Sequence, residues 1–294
     1  MARTVLCWAL WPFGVAAVIA SVLYFGDIHN GQATYGVIGR TALGALIVLT
    51  CLELVLPYRD DWRLRGDRNV WRNLGHSVLF TQLGGFLAVY LVVLGLAPLI
   101  ARLHMPALWP THSPLVVQIL LVMAVGDGLL YWFHRLSHRV PALWTVHAIH
   151  HMPVRLNMLM AARQHVLYQP LGAVFVWVPL LLIGTPPELY VWQYFSVIVA
   201  GNIDHANIAF RVPRFMHRVI VTPQYHRLHH SAHPVHGNSN FGVMLPLWDQ
   251  LFGTFIDPAT TELRAAGIEG DPIPNRFFTE LAWPFSLKRW KRTA

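Results

Sequence analysis

The sequence predicts an all-α integral membrane protein, a transmembrane helical bundle carrying a cytoplasmic, histidine-rich cap built for two metal ions. Three observations predict it. Hydrophobic residues make up 55% of the chain, above the roughly 45–50% usual for soluble domains. They gather in runs long enough to cross a bilayer, which takes about 20 apolar residues. Thirteen of the 17 histidines fall between residues 134 and 236.

The apolar runs come first in the chain. Val5 to Phe25 is uncharged. Arg3 gives it the basic lead of a signal peptide, but it exceeds the ~7–15 residues of such a core and no clear cleavage site follows. A retained helix is expected. Thr41 to Pro57 carries only Glu53, Ser77 to Ala101 has no charge, and Leu115 to Phe133 carries only Asp127. Val166 to Pro187 and Leu189 to Ile203 flank a break at "GTPP" and form a helical hairpin whose first arm contains Pro179. The expected spans are thus near 5–25, 37–57, 77–101 and 115–133, with a hairpin over 166–203. They belong to a single membrane domain whose cap comprises residues 134–165 and 204–294. A soluble protein burying so many such runs would need a far larger polar shell.

Charge orients the bundle. The formal net charge is +8, yet its placement argues against nucleic-acid binding. Arg59, Arg63, Arg65, Arg68 and Arg72 crowd the loop after the second span, and Lys288, Arg289, Lys291 and Arg292 lie near the C-terminus. The stretch from Gly26 to Gly39 has no Lys or Arg. This asymmetry puts both basic clusters in the cytoplasm. Threading the spans then brings every histidine box to that side. "SLKRWKR" at 286–292 reads equally as a Trp-anchored surface helix or a solvated tail. Cys7 and Cys51 fall in predicted spans and are expected to pack rather than pair.

The boxes carry the chemistry. "HRLSH" at 134–138 places His134 and His138 on one helical face. "HAIHH" at 147–151 and "HRLHH" at 226–230 share the pattern His-x-x-His-His, whose three rings span an arc of about 100° and are expected to converge on one point. Neutral imidazoles suit zinc, copper, iron and nickel. Eight boxed histidines exceed the roughly four ligands of one zinc ion, so two metals are expected. His205, at the cytoplasmic exit of the hairpin, is the best further ligand, and His165 is a possible one. His233 and His236 read as loop residues, and His29, His76, His104, His112 and His217 are not assigned to the site. The sequence has no zinc-protease helix, nucleophile elbow, Walker loop or dinucleotide fingerprint, and it lacks the Glu-x-x-His pairs of soluble di-iron bundles.

In order and spacing, these boxes resemble the membrane fatty acid hydroxylase and sterol desaturase superfamily, most closely its sterol-desaturase and alkylglycerol-monooxygenase-like branch. "DGLLYWFHRLSH" is similar to that family's fourth-span exit, with Asp127 behind His134. "HAIHHMPVRLNMLMAARQ" is similar to its second-box segment, and "TPQYHRLHHSAHPVHGNSNFGVMLPLWDQLFGTF" to its C-terminal signature, through Pro223, Gly242 and Trp248. The resemblance covers roughly residues 70 to 257. It implies a non-haem di-iron enzyme using O2 and electrons to hydroxylate or desaturate a lipid. It further implies His134, His138, His147, His150, His151, His205, His226, His229 and His230 as iron ligands, and Asn157, Arg163, Asn240 and Asp249 as residues that orient them. Two departures stand out. Met152 replaces a frequent Ser. Gly201 stands where some relatives carry a ligating His, a place that water, His165 or Asn202 would have to fill.

Other classes are a membrane zinc hydrolase, which lacks a Glu beside any box, and a metal transporter, whose ligands belong near mid-span. Without a nicotinamide or flavin fingerprint, electrons are expected from a separate redox protein at the basic face. The expected partners are that donor and a membrane lipid, the expected membrane a bacterial inner one.

Overall fold

The computed structural model describes Cys7, residues 31–270 and residues 276–285. Except for Cys7, the expected first span lies outside the described residues, as does the basic stretch 286–292. Among the described residues there is no strand, only two isolated bridges, Pro57 with Ile208 and Ser231 with Ala266. Cys7 and Cys51 are free thiols, the first buried and the second exposed.

Nine helices matter for the site. We number them α1 (Gly31–Val55), α2 (Val70–Ala101), α3 (Leu115–Arg139) and α4 (Pro141–His151). They continue as α5 (Tyr168–Leu182), α6 (Tyr190–His205), α7 (Pro223–His229), α8 (Leu247–Leu251) and α9 (Phe277–Ala282). Of these, α2 and α3 are long and apolar enough to cross a membrane, while Leu43–Val55 and α5 are shorter apolar helices. Phe86, Leu94, Val116 and Leu120 point outward, each at least 60% exposed, as a helix bounded by lipid requires.

Three local features aim the helices at one place. The α2 helix begins at Val70, so Arg72 is helical rather than part of the preceding loop, a correction to the sequence reading. It includes π-helical turns at Leu79–Gly84 and Tyr90–Leu96. A Cβ on Gly84 would meet the Val166 carbonyl at 2.9 Å, so a glycine lets α2 approach the start of α5. Between α3 and α4 only Val140 is extended, and Pro141 opens the next helix, since the residue before proline avoids the helical region. That abrupt reversal folds α4 back against the end of α3. The α5–α6 turn closes at Gly184, φ +78°, where N–H groups of Gly184 and Thr185 donate to Leu181 and Leu180 carbonyls at 3.0 Å each.

An apolar core of Val122, Val176, Leu180, Trp192 and Phe195 with Trp109 joins α3, α5 and α6. The acid in α1 has a structural use. Glu53 Oε1 accepts the backbone N–H groups of Met158 at 2.8 Å and Asn207 at 2.6 Å, tying two cap segments to that helix.

Candidate metal centre

Nine buried histidines assemble into two adjacent groups. One holds His134, His138, His147, His151 and His229, the other His150, His205, His226 and His230, with the candidate donor atoms of each group within 4.8 Å of one another. The α3 helix supplies the first pair and α4 the next three. His205 closes α6, and α7 with the residue after it supplies the rest.

The expectation that each His-x-x-His-His box converges on one point is corrected. His147 and His151 face each other, Nε2 to Nε2, at 3.1 Å, while His150 Nε2 lies 3.1 Å from His205 Nε2. In the other box His226 and His230 pair at 3.1 Å, and His229 joins the opposite group. The reason is angular. At 100° per residue, positions i and i+4 are about 40° apart, and i+3 lies about 60° to the other side. Each box therefore straddles both groups, and the two boxes divide in reciprocal fashion. His151 and His230 stack across the boundary, centroids 4.4 Å apart.

Four histidines have an Nδ1–H that donates to a main-chain carbonyl: His134 to Phe241 at 2.8 Å, His229 to Ser239 at 2.7 Å, His205 to Gly201 at 2.7 Å and His150 to Arg163 at 3.3 Å. A carbonyl only accepts, so the proton sits on Nδ1 and the lone pair on Nε2. His134 Nε2 is buried with no hydrogen-bond partner. His150 and His205 then oppose two lone pairs at 3.1 Å, an arrangement that repels unless a cation lies between. In the second group, His205 Nε2 lies 3.0–3.1 Å from the Nε2 atoms of His150, His226 and His230, and His226 Nε2 lies 3.1 Å from that of His230. A metal with bonds of about 2.1 Å brings neighbouring donors to roughly 3.0–3.4 Å. The donor set fits metal.

Electrostatics agree. Burial, then the neighbouring His205, pushes His150 well below the usual imidazole range. Burial and His230 do so for His151, burial and His205 for His226, and burial and His150 for His230. The neutral ring is the form that binds metal.

Around the rings lies a layer of backbone and side-chain anchors. Asp249 accepts the N–H groups of Phe241 at 2.9 Å and Gly242 at 2.7 Å, the Thr254 hydroxyl at 2.6 Å and the Tyr225 hydroxyl. Asn240, at φ +55°, donates to the Ile256 carbonyl at 3.0 Å and accepts its N–H at 2.7 Å. These two residues thus fix the carbonyls of Ser239 and Phe241, which hold His229 and His134. Asp127 joins this loop to α3 by accepting Met244 N–H at 2.9 Å, Leu245 N–H at 3.0 Å and Trp248 Nε1–H at 3.1 Å. Arg163 reaches His150 through its own carbonyl. Asn157 Oδ1 accepts Leu159 N–H at 3.2 Å and caps a short turn.

Neither candidate for the extra ligand joins a group. His165 Nε2 donates to the Leu281 carbonyl at 3.1 Å, and its Nδ1 accepts Leu167 N–H at 3.2 Å. The protein thus engages both of its nitrogens. Asn202 Nδ2 donates to Ile198 on its own helix at 2.8 Å. Gly201 leaves open space instead. Sequence reasoning also missed Arg227, buried inside the third box. Its Nη2 donates to the carbonyls of Ala206 and Ile208 at 2.7 and 2.8 Å, locking α7 to the residues after His205. An Arg turned away from the ligand face was the only available signal.

A cavity of about 270 Å³ between α2, α3, α5 and α6 ends on His134, His147, His150, His205 and His226, and so meets both groups. Phe80, Phe133, Val176, Trp177 and Ile198 make much of its wall. Tyr168 stacks on His147 at 4.6 Å where the cavity wall meets the histidines.

Residues 119–254 match the family model described as fatty acid hydroxylase. The chain is 30% identical over 252 residues to an ornithine lipid hydroxylase of Rhizobium tropici, covering 84% of this chain and 75% of that protein. It is 34% identical to the human alkylglycerol monooxygenase over 42% of this chain and 27% of that one. A very-long-chain aldehyde decarbonylase of rice, Oryza sativa subsp. japonica, is 26% identical over 58% of this chain and 28% of its own length. The chain thus spans three quarters of the first relative and little more than a quarter of the other two. No solved structure matches.

Proposed function

The chain belongs to the fatty acid hydroxylase family, and from that premise we propose an O2-dependent, non-haem di-iron oxidoreductase that hydroxylates a membrane lipid. The observation that carries this is the opening of both histidine groups onto one apolar cavity bounded by the two helices suited to a membrane. Bound iron supplies the redox chemistry by which O2 and two electrons oxidise an unactivated C–H bond. His134, His138, His147, His151 and His229 hold one ion and His150, His205, His226 and His230 the other.

The remaining work falls to the protein. The cavity walls hold an alkyl segment beside the histidines, and such positioning supplies much of a rate. Phe133, Val176 and Trp177 exclude water from the reacting carbon. The Phe241 and Ser239 carbonyls keep His134 and His229 in the tautomer that presents Nε2. We place the histidine groups at the cytoplasmic face of a multi-pass bundle, where a separate redox protein delivers electrons to the arginine-rich side. The Rhizobium relative, aligned over 84% of the chain, is named for ornithine lipid, so an ornithine-containing membrane lipid is the first substrate to try.

The test compares total lipids of cells expressing the wild type with cells expressing His147→Ala. A lipid gaining one oxygen in the wild type alone supports hydroxylation. One losing two hydrogens reassigns the protein as a desaturase, an O2-dependent cleavage at an ether carbon reassigns it to ether cleavage, and a lipid cleaved without O2 places it among the hydrolases.

A further inference from the structure

A second concentration of buried polar groups lies where α9 packs against the start of α2. Glu280 on α9 is fully buried. Its Oε2 accepts Arg163 Nη2–H at 2.9 Å and lies 2.6 Å from His76 Nε2, while Arg72 Nε stands 3.3 Å from Oε1. Burial works to raise this carboxyl, but the bond from His76 and the charges of Arg163 and Arg72 outweigh it and hold Glu280 below the ordinary carboxylate range. It is a paired anion.

Arg163 leads from this cluster to the metal centre. Also fully buried, it donates from Nε to Asn73 Oδ1 at 2.8 Å and from Nη1 to the Ile149 carbonyl. Its own carbonyl accepts His150 Nδ1–H at 3.3 Å. One arginine thus grips α4 at two successive residues, the second being His150. The first histidine group depends on other anchors, the Phe241 and Ser239 carbonyls.

We propose that Glu280 is a positioning residue for the second histidine group, fixing Arg163 and through it the His150 ring. The proposal rests on the metal-binding reading above. Glu280 lies beyond the part of the chain that matches the family model, and no sequence pattern singled it out. Without its carboxylate, the buried Arg163 guanidinium loses the anion to which its Nη2 donates, and breaking one side of a buried pair is costly and favours movement. Lost outer partners of a metal-ligating histidine typically weaken metal binding by about 10–100-fold. That loss should fall on one of two sites.

The experiment titrates Co2+ into the metal-free full-length protein in mild detergent, following cobalt absorption bands and thermal unfolding. Wild type should take up two equivalents. Glu280→Gln should weaken one equivalent by about 10-fold or more and alter its spectrum while sparing the other. Arg163→Lys should do the same, because an ammonium cannot hold Asn73, Ile149 and Glu280 together, and the double variant should be no worse than either single one. Phe277→Ala separates positioning from simple docking of α9. Its ring packs on His76 at 4.8 Å, so its loss should lower thermal stability yet leave both cobalt equivalents unchanged. Two wild-type equivalents in Glu280→Gln, or the same single loss in Phe277→Ala, would overturn the proposal alone. A wild type that takes up no Co2+ would overturn the metal reading and this proposal with it.

Discussion

His150 and His151 are adjacent in the chain yet belong to different groups: His150 Nε2 is 3.1 Å from His205 Nε2, whereas His151 Nε2 is 3.1 Å from His147 Nε2. A single turn of α4 therefore joins the two centres and fixes their separation. The same division recurs in the third box, with His229 opposite to His226 and His230.

Ligand loss should consequently be selective. His229→Ala removes a donor from the five-histidine group and His150→Ala one from the four-histidine group, so the two variants should weaken different metal equivalents. His104→Ala should bind as the wild type does. Metal content after equilibrium dialysis, with cobalt spectra to tell the sites apart, checks this. Identical spectra for the two box variants would contradict the division.

The loop that holds His134 and His229 depends on one carboxylate. Asp249→Ala strips the acceptor from four donors on Phe241, Gly242, Tyr225 and Thr254. A buried donor left unsatisfied costs about 1–3 kcal/mol, and partial relaxation suggests a total of about 3–5 kcal/mol. Denaturant unfolding should show that loss, and the five-histidine group should bind metal more weakly than in the wild type.

Much of this arrangement was legible in the sequence. The boxes name eight of the nine clustered histidines, and His205 followed from its place after the hairpin. Helical periodicity gave their common faces but not the division between two centres, which depends on how α4 and α7 are rotated toward each other. Asp127 drew notice only as the acid behind His134. Its role in holding the 244–248 loop needs a contact across more than a hundred residues, which no local pattern encodes. The same applies to Glu280, whose partners Arg163 and His76 come from two distant segments. Arg72 was misplaced because charge alone marks a loop, whereas α2 begins before the apolar run and buries that arginine's head against Glu280.

Stability of the metal-free protein should depend on pH through the depressed imidazoles. His150, His151, His226 and His230 have folded-state values well below the usual 6.5. A depressed value means the unfolded chain takes up protons that the folded one refuses. Their contribution is complete above pH 6.5 and is lost progressively as the pH falls below it, at up to about 1.4 kcal/mol per pH unit for each ring. Unfolding midpoints of the metal-free protein should fall steeply between about pH 7.5 and about pH 5. Bound metal should flatten the curve at its upper end.

Gly201 offers a way to block the cavity without disturbing the ligands. It lines the cavity, and a Cβ there would meet no heavy atom within 4 Å. Its carbonyl, which holds His205, belongs to the backbone and survives substitution. Gly201→Leu should keep the fold and both metals and lose about 10-fold or more in lipid turnover. Product quantification beside metal analysis checks it; full turnover would place the substrate elsewhere.

The central claim meets its most direct test in isotopically labelled O2. The iron-loaded protein, in detergent with an ornithine lipid and a reduced electron donor, should form a hydroxylated product. That product should carry one labelled oxygen atom, require both O2 and the donor, and vanish in His147→Ala. Undiminished product under strict anaerobiosis, or product oxygen drawn from water, would contradict the account.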